Sequence, residues 1–169
     1  MKTKATVALI LLFFSVAHAD PRSATGTYRN AALGYSIKIP SGLRGETGDQ
    51  AGPERGLGVP LPSGGTMSVY GEPNSLELKS PAEGIRWALD KRKCSSDRQQ
   101  EISRARVGKM IGAKGKLVCD DRVLEVLLVF RTAGGPIYWV TLQTDTSHEA
   151  ADDAVFNDFA ASFKLIHWR

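Results

Sequence analysis

The stretch RVLEVLLVFRTAGGPIYWVTLQT, Arg122 to Thr144, decides the fold. Val123 to Phe130 is nearly unbroken apolar sequence, the mark of a central strand covered on both faces. Ile137 to Thr144 is a second strand-like run, rich in aromatic and β-branched residues. The breaker between them, Ala133-Gly134-Gly135-Pro136, is too short for a crossover, so the two runs must be antiparallel neighbours.

The pattern extends in both directions. Upstream, Glu101 to Val107 and Ala113 to Cys119 are strand-like and are separated by Gly108 to Gly112 and Asp120-Asp121, which predicts a four-strand meander. Downstream, Thr146-Ser147-His148-Glu149 has the form of a capping box and predicts a helix to about Ala161, with Ala151, Val155 and Phe159 on one face. Phe163 to Ile166 then returns as a short strand. A second capping box, Ser80-Pro81-Ala82-Glu83, adds proline at the first helical position and predicts a helix to about Lys93. Its apolar positions Ala82, Ile85, Ala88 and Leu89 recur at helical spacing.

Nearer the N-terminus, Asp20 to Gly26 reads as a loose tail. Thr27 to Arg29 and Tyr35 to Ile39 read as short strands joined by a turn at Asn30 to Gly34. From Gly42 to Gly65 the chain carries eight glycines and three prolines, which predicts a long surface loop with a short strand near Gly58 to Leu61. Thr66 to Tyr70 reads as a further strand, ended by Gly71 and Pro73.

Two stretches, YRNAALGYSIKIPSG from Tyr28 and VFNDFAASFKL from Val155, resemble the opening and closing segments of the PsbP-like superfamily, which includes the DcrB-like exported bacterial proteins. Tyr28, Gly34, Tyr35, Ile37, Ile39 and Pro40 correspond to the opening hairpin. Phe156, Phe159, Ser162 and Phe163 correspond to the last helix and the strand after it. The resemblance implies an α+β fold: an antiparallel β-sheet with helices packed on both faces, an α/β/α sandwich. It implies macromolecular binding as a theme and no particular chemistry, since likeness of fold is only an associational warrant for function.

The first residues predict a compartment. Lys2 and Lys4 form a positive n-region, Ala5 to Val16 an apolar h-region too short to span a bilayer comfortably, and Ala17-His18-Ala19 a cleavage site. The expected product is a periplasmic or secreted domain, residues 20–169, released from a signal peptide, residues 1–19, and not membrane-spanning. Cys94 and Cys119, the two cysteines of the chain, are then expected to pair as a disulfide. That link is worth roughly 3 to 4 kcal/mol in the chain-entropy model.

Charge is unevenly distributed. The formal net charge is +4, and removal of Lys2 and Lys4 lowers it to +2, yet Gly84 to Val118 holds ten basic residues against three acidic ones. An asymmetric molecule of this kind is steered toward anionic partners. Arg86, Trp87, Lys91, Arg92, Lys93, Lys114 and Lys116 are therefore the expected binding face, with Trp87 as an aromatic anchor beside cations.

Catalytic signatures are weak. His148 is followed by Asp152 on the same helical face, and Ser147 or Ser68 could complete a Ser-His-Asp set, but no G-x-S-x-G elbow is present. Metal spacings such as H-E-x-x-H and C-x-x-C are missing, as is a Walker loop, so no cofactor is expected. Ile111 to Val118 nearly spells the I-G-x-x-G-x-x-I clamp of KH domains, but strand-like sequence flanks it and the leader exports the chain, so no nucleic acid is expected. Its glycines are expected to turn one strand into the next. The expected role is non-catalytic contact with an envelope protein or an anionic envelope component. The alternatives are an immunity-type inhibitor of an exported toxin, a small periplasmic hydrolase, or a structural envelope component.

Overall fold

The computed structural model describes residues 22–47, 56–94, 98–108, 110–132 and 134–166. The leader expected over residues 1–19 lies outside them. The elements, in chain order, are β1 Arg22–Ala24, β2 Thr27–Asn30, β3 Tyr35–Lys38, β4 Gly45–Thr47, β5 Gly56–Pro60, β6 Thr66–Glu72, α1 Pro81–Asp90, β7 Arg98–Val107, β8 Met110–Cys119, β9 Arg122–Phe130, β10 Ile137–Asp145, α2 Glu149–Ala161 and β11 Lys164–Leu165.

The predicted meander is present as β7 to β10, each strand antiparallel to the next. It forms half of an eight-stranded sheet ordered β1-β4-β5-β6-β10-β9-β8-β7. Strand side chains alternate between faces, so the sheet carries two cores. Leu128, Val126 and Trp139 join Ala113 and Leu117 under Ile85 and Leu89 of α1. Leu127, Val129, Tyr138, Val140 and Leu142 point the other way, into a larger cluster with Phe156 and Phe159 of α2. β9 is thus apolar on both faces because it serves both cores.

The body is α+β but mostly sheet, with two helices among the described residues. The expected sandwich with helices packed on both faces is therefore too helical a description. A second, three-stranded sheet ordered β11-β3-β2 supplies Tyr35 and Ile37 to the larger cluster beside α2. The two segments that carry the family resemblance meet in that small sheet. Lys164 and Leu165 pair with Ser36 and Tyr35, and the Tyr35 ring stacks on Phe163 at 5.7 Å. Ser162 Oγ accepts the Lys38 amide at 2.9 Å, closing the junction.

The capping box at Ser80 forms. Ser80 Oγ accepts the Glu83 amide at 3.2 Å, while Glu83 reaches back to the amide of Lys79 at 2.7 Å, one residue before the cap. The helix ends at Asp90 rather than Lys93. Past its end the chain runs to Cys94, which is bonded to Cys119 at the end of β8. The capping box expected at Thr146 does not form: His148 is the N-cap without a side-chain bond, and Asp145 instead accepts the His148 amide at 3.0 Å. The buried face of α2 is Asp152, Phe156, Phe159 and Ala160, while Ala151 is exposed. Asp152 accounts for the rotation, because it turns inward and accepts hydrogen bonds from Ser63 and Thr144.

Three expectations at the glycines are corrected. Part of the supposed tail is β1, paired with β4. The supposed loop from Gly42 to Gly65 holds β4 and β5, both in the large sheet, while residues 48–55 lie outside the described ones. Glycine is needed there for close approach, since a Cβ at Gly56 would stand 2.6 Å from the Val69 carbonyl oxygen. In Ile111 to Val118, Gly112 and Gly115 lie inside β8, and Gly108, at φ 59°, serves the turn. Gly115 lets α1 seat: its Cβ would fall 2.2 Å from Cγ2 of the fully buried Ile85.

Overpacking at that contact should be costly, because Ile85 is branched and walled in. Gly115→Ala is expected to lower unfolding free energy by about 1 to 3 kcal/mol in urea titrations. Gly58→Ala is the control, since its Cβ meets nothing nearer than 3.9 Å, and it should leave the midpoint unchanged or raise it. Equal effects at the two sites would contradict this account of α1 docking.

Candidate functional site

The seven residues expected to form one basic face divide between the two faces of the sheet. Arg86, Trp87, Lys91, Arg92 and Lys93 are exposed on α1 and the turn after it. Trp87 is 41% exposed although tryptophan is usually covered, and Lys91 Nζ stands 5.3 Å from its ring centroid, one helical turn along. Trp87 and Lys91 thus form an exposed aromatic and cationic pair, with Arg86, Arg92 and Lys93 also exposed on the same helix and turn. Lys114 and Lys116 lie elsewhere: β8 alternates, so its Ala113, Gly115 and Leu117 face α1 while the two lysines face α2.

There they neutralise a buried carboxylate. Glu125 is 1% exposed, with Lys114 Nζ 2.8 Å from its Oε2 and Lys116 Nζ 3.7 Å from its Oε1. The 2.8 Å contact is an ion pair whose geometry falls short of a hydrogen bond. Lys114 also reaches Asp153 at 3.5 Å, and Lys116 contacts Glu149 of α2. Burial raises the pKa of Glu125 above the usual carboxylate range, opposed by Lys114 and reinforced by Asp153. Lys116 is raised chiefly by its bond to Glu149. This cluster surrounds a cavity of about 180 Å³ and fastens α2 to the sheet, so the two lysines are committed within the fold.

The catalytic candidate resolves into a helix start. Ser147 Oγ donates to Asp145 Oδ1 at 2.6 Å, and His148 Nδ1 lies 2.8 Å from the same oxygen. Ser147 and Asp145 thus crowd one ring nitrogen, whereas a relay needs them on opposite nitrogens. The bonds from Ser147 and His148 hold the Asp145 carboxyl below its ordinary pKa. Asp152, expected beside His148, is instead bonded to Ser63 and Thr144. Ser68 is distant in role too, sharing a 2.7 Å bond with Thr141. Among the described residues no group of three or more His, Cys, Asp or Glu is placed to hold a metal ion. None of their helices is long and apolar enough to cross a membrane.

Sequence reasoning missed the main concavity. A cleft of about 1000 Å³ lies over the part of the large sheet that α1 leaves uncovered. Its floor includes a cross-strand row of Pro60, Thr66, Gln143, Leu124 and Leu117, from β5 to β8. Arg92 and Lys93 wall one side next to the disulfide, and Glu46 of β4 stands at the far end. Tyr70 lines it too, its ring stacked on Trp139 at 6.2 Å, with Trp139 Nε1 donating to Glu72 at 2.8 Å. Burial first, and Glu72 second, push the Tyr70 phenol up to about 12, with Arg92 opposing. The signal was the glycine-rich stretch: it reads as loop by composition, yet Gly56 and Gly58 are positions of β5 that leave part of the cleft floor bare.

Neither the scan against protein-family models nor the search of curated proteins gave a match. Solved structures do match. Cyanobacterial PsbP (CyanoP) from Synechocystis sp. PCC 6803 superposes with a TM-score of 0.54 at 14% identity, over 82% of this chain and 91% of that one. The Saccharomyces cerevisiae Ran-binding protein Mog1p gives a TM-score of 0.54 at 10% identity, over 87% of this chain and 96% of that one. The fold is PsbP-like, as the hairpin and closing segment implied.

The buried carboxylate makes stability pH-dependent with a definite sign. A carboxyl whose pKa is raised on folding binds its proton more tightly folded than unfolded, so it destabilises as pH climbs from the unfolded carboxylate range through the folded value. Lowering the pH from 7 should therefore favour the wild type relative to Glu125→Gln, read as the difference between their urea midpoints at each pH. A difference that stays constant with pH would refute the assignment.

Proposed function

We propose that the chain is an exported, non-catalytic binding protein of the bacterial envelope. In this reading residues 1–19 are a signal peptide cleaved after Ala19, and residues 20–169 form one domain acting in the periplasm or outside the cell. The partner is an envelope protein or an anionic envelope component. The Cys94–Cys119 disulfide is consistent with an oxidising compartment. Mog1p, a neighbour in fold, is described as Ran-binding, which gives protein binding a precedent on this scaffold.

The observation that carries the reading is the α1 patch. A 41% exposed tryptophan under a lysine, flanked by Arg86, Arg92 and Lys93, is a poor solubilising surface and a good anchor for an anionic partner. A hydrolase is less well supported, because no histidine among the described residues lines the cleft and Ser147, His148 and Asp145 are arranged at a helix start.

Pull-downs from envelope extract test the patch. The native chain should retain a partner at low salt and release it near 0.5 M salt, where the Debye length falls to roughly 4 to 5 Å. Reversal of Lys91, Arg92 and Lys93 to glutamate should abolish retention, and Trp87→Ala should weaken it about tenfold or more. A captured profile identical for native and reversed proteins would overturn the reading.

A further inference from the structure

The cleft is a second surface, distinct from Trp87 and Lys91, and it narrows the class of partner. We propose that it is the groove for an extended polypeptide segment of mixed charge, about seven residues long, supplied by a partner protein. This rests on the binding reading above and deepens it.

Shape comes first. The cleft runs from Glu46 on β4 to Leu117 and Cys119 on β8, across six neighbouring strands. Five strand spacings are about 24 Å, the reach of about seven extended residues at roughly 3.3 Å each. Its volume of about 1000 Å³ suits a chain of that length, and among the described residues it lies open along the sheet face. Gly58 leaves the floor bare, with the nearest heavy atom 3.9 Å from where its Cβ would be.

Charge then selects the ligand. Five carboxylates, among them Glu46, Glu72 and Asp145, and three cations, Arg92, Lys93 and Arg122, line one trough. An anionic lipid surface is flat and would meet the carboxylates, and a neutral glycan would leave both signs unanswered. A polypeptide carries both signs at a spacing the walls can match. Toward α1 the floor becomes apolar at Leu124 and Leu117, beside Arg92 and Lys93. Asp120, Asp121 and Asp145 line that same end with Arg122, so it takes an apolar residue beside charges of both signs, while the end at Glu46 takes a basic or polar one.

The test is selection of randomised twelve-residue peptides displayed on phage against the full chain with its disulfide intact, with Gly58→Trp as the blocked control. Gly58 is a strand position with open space above it, so the variant should fold, as its melting curve will show. Gln143→Trp, at an exposed floor position, plugs the same trough should Gly58→Trp fail to fold. Expected winners carry acidic and basic residues within a window of about seven. As synthetic peptides they should bind the native chain at least tenfold more tightly than either plugged variant. Arg86→Glu with Trp87→Ala and Lys91→Glu changes only the patch and should leave their affinity unchanged, which separates failure of the patch from failure of the groove. Winners that ignore the plugs, or that are lost only in the patch variant, overturn the groove. Plug-sensitive binding of phosphatidylglycerol vesicles or of neutral oligosaccharides, with no plug-sensitive peptide, overturns the polypeptide assignment.

Discussion

Everything in this molecule hangs on the register between β9 and β10, which pairs Ile137 with Phe130 and continues through nine residues to Asp145 with Arg122. Side chains alternate, so that register sends Leu128 and Trp139 to the α1 core and Leu127, Val129 and Val140 to the core beneath α2. A slip of one residue would turn Glu125 away from the lysines that neutralise it and into the packed cluster below α1. Because β9 is apolar on both sides, hydrophobicity alone would tolerate the slip. The single buried charge on β9, with Lys114 and Lys116 on the facing strand and Glu149 and Asp153 above, distinguishes the two registers. A buried ionic group that adds little net stability can still select among packings in this way.

Much of the architecture was legible because local signals agreed with tertiary ones. The meander, the two helices and the opening hairpin follow from runs and breakers short enough to leave one reading, and the disulfide from the presence of two cysteines in a chain read as exported. The glycine-rich region was not legible, since close approach of a neighbouring backbone or side chain selects glycine for the same absence of a Cβ that suits a turn. Gly56 in β5 and Gly115 in β8 are of the first kind, Gly64 and Gly108, both with positive φ, of the second. Composition cannot separate them. The rotation of α2 was hidden for a similar reason, because Asp152 looks like a solvent residue until Ser63, from the turn between β5 and β6, and Thr144, at the end of β10, are brought beside it.

The candidate binding residues divide along the same line. Proximity in sequence grouped seven basic or aromatic residues, but a strand and a helix separated by the thickness of a sheet do not share a surface. Lys114 and Lys116 are consumed by the α2 attachment, so the cationic excess of the region overstates what a partner meets. Of the seven candidates, what remains lies between Arg86 and Lys93, on a single helix and the turn that follows it.

That turn is where the proposed functions of patch and cleft join. Arg92 and Lys93 belong to both, and they immediately precede Cys94, whose Cα lies 5.4 Å from that of Cys119. A turn of exposed cations at a helix end would ordinarily be free to swing, since lysine and arginine carry large side-chain entropy and the helix has already stopped. Tethered to the last residue of β8, it is held against the sheet edge of the cleft. The covalent link thereby does more than stabilise a small fold: it restrains the backbone that carries the positive wall of the trough relative to its floor, so that less of the backbone is left to order on binding.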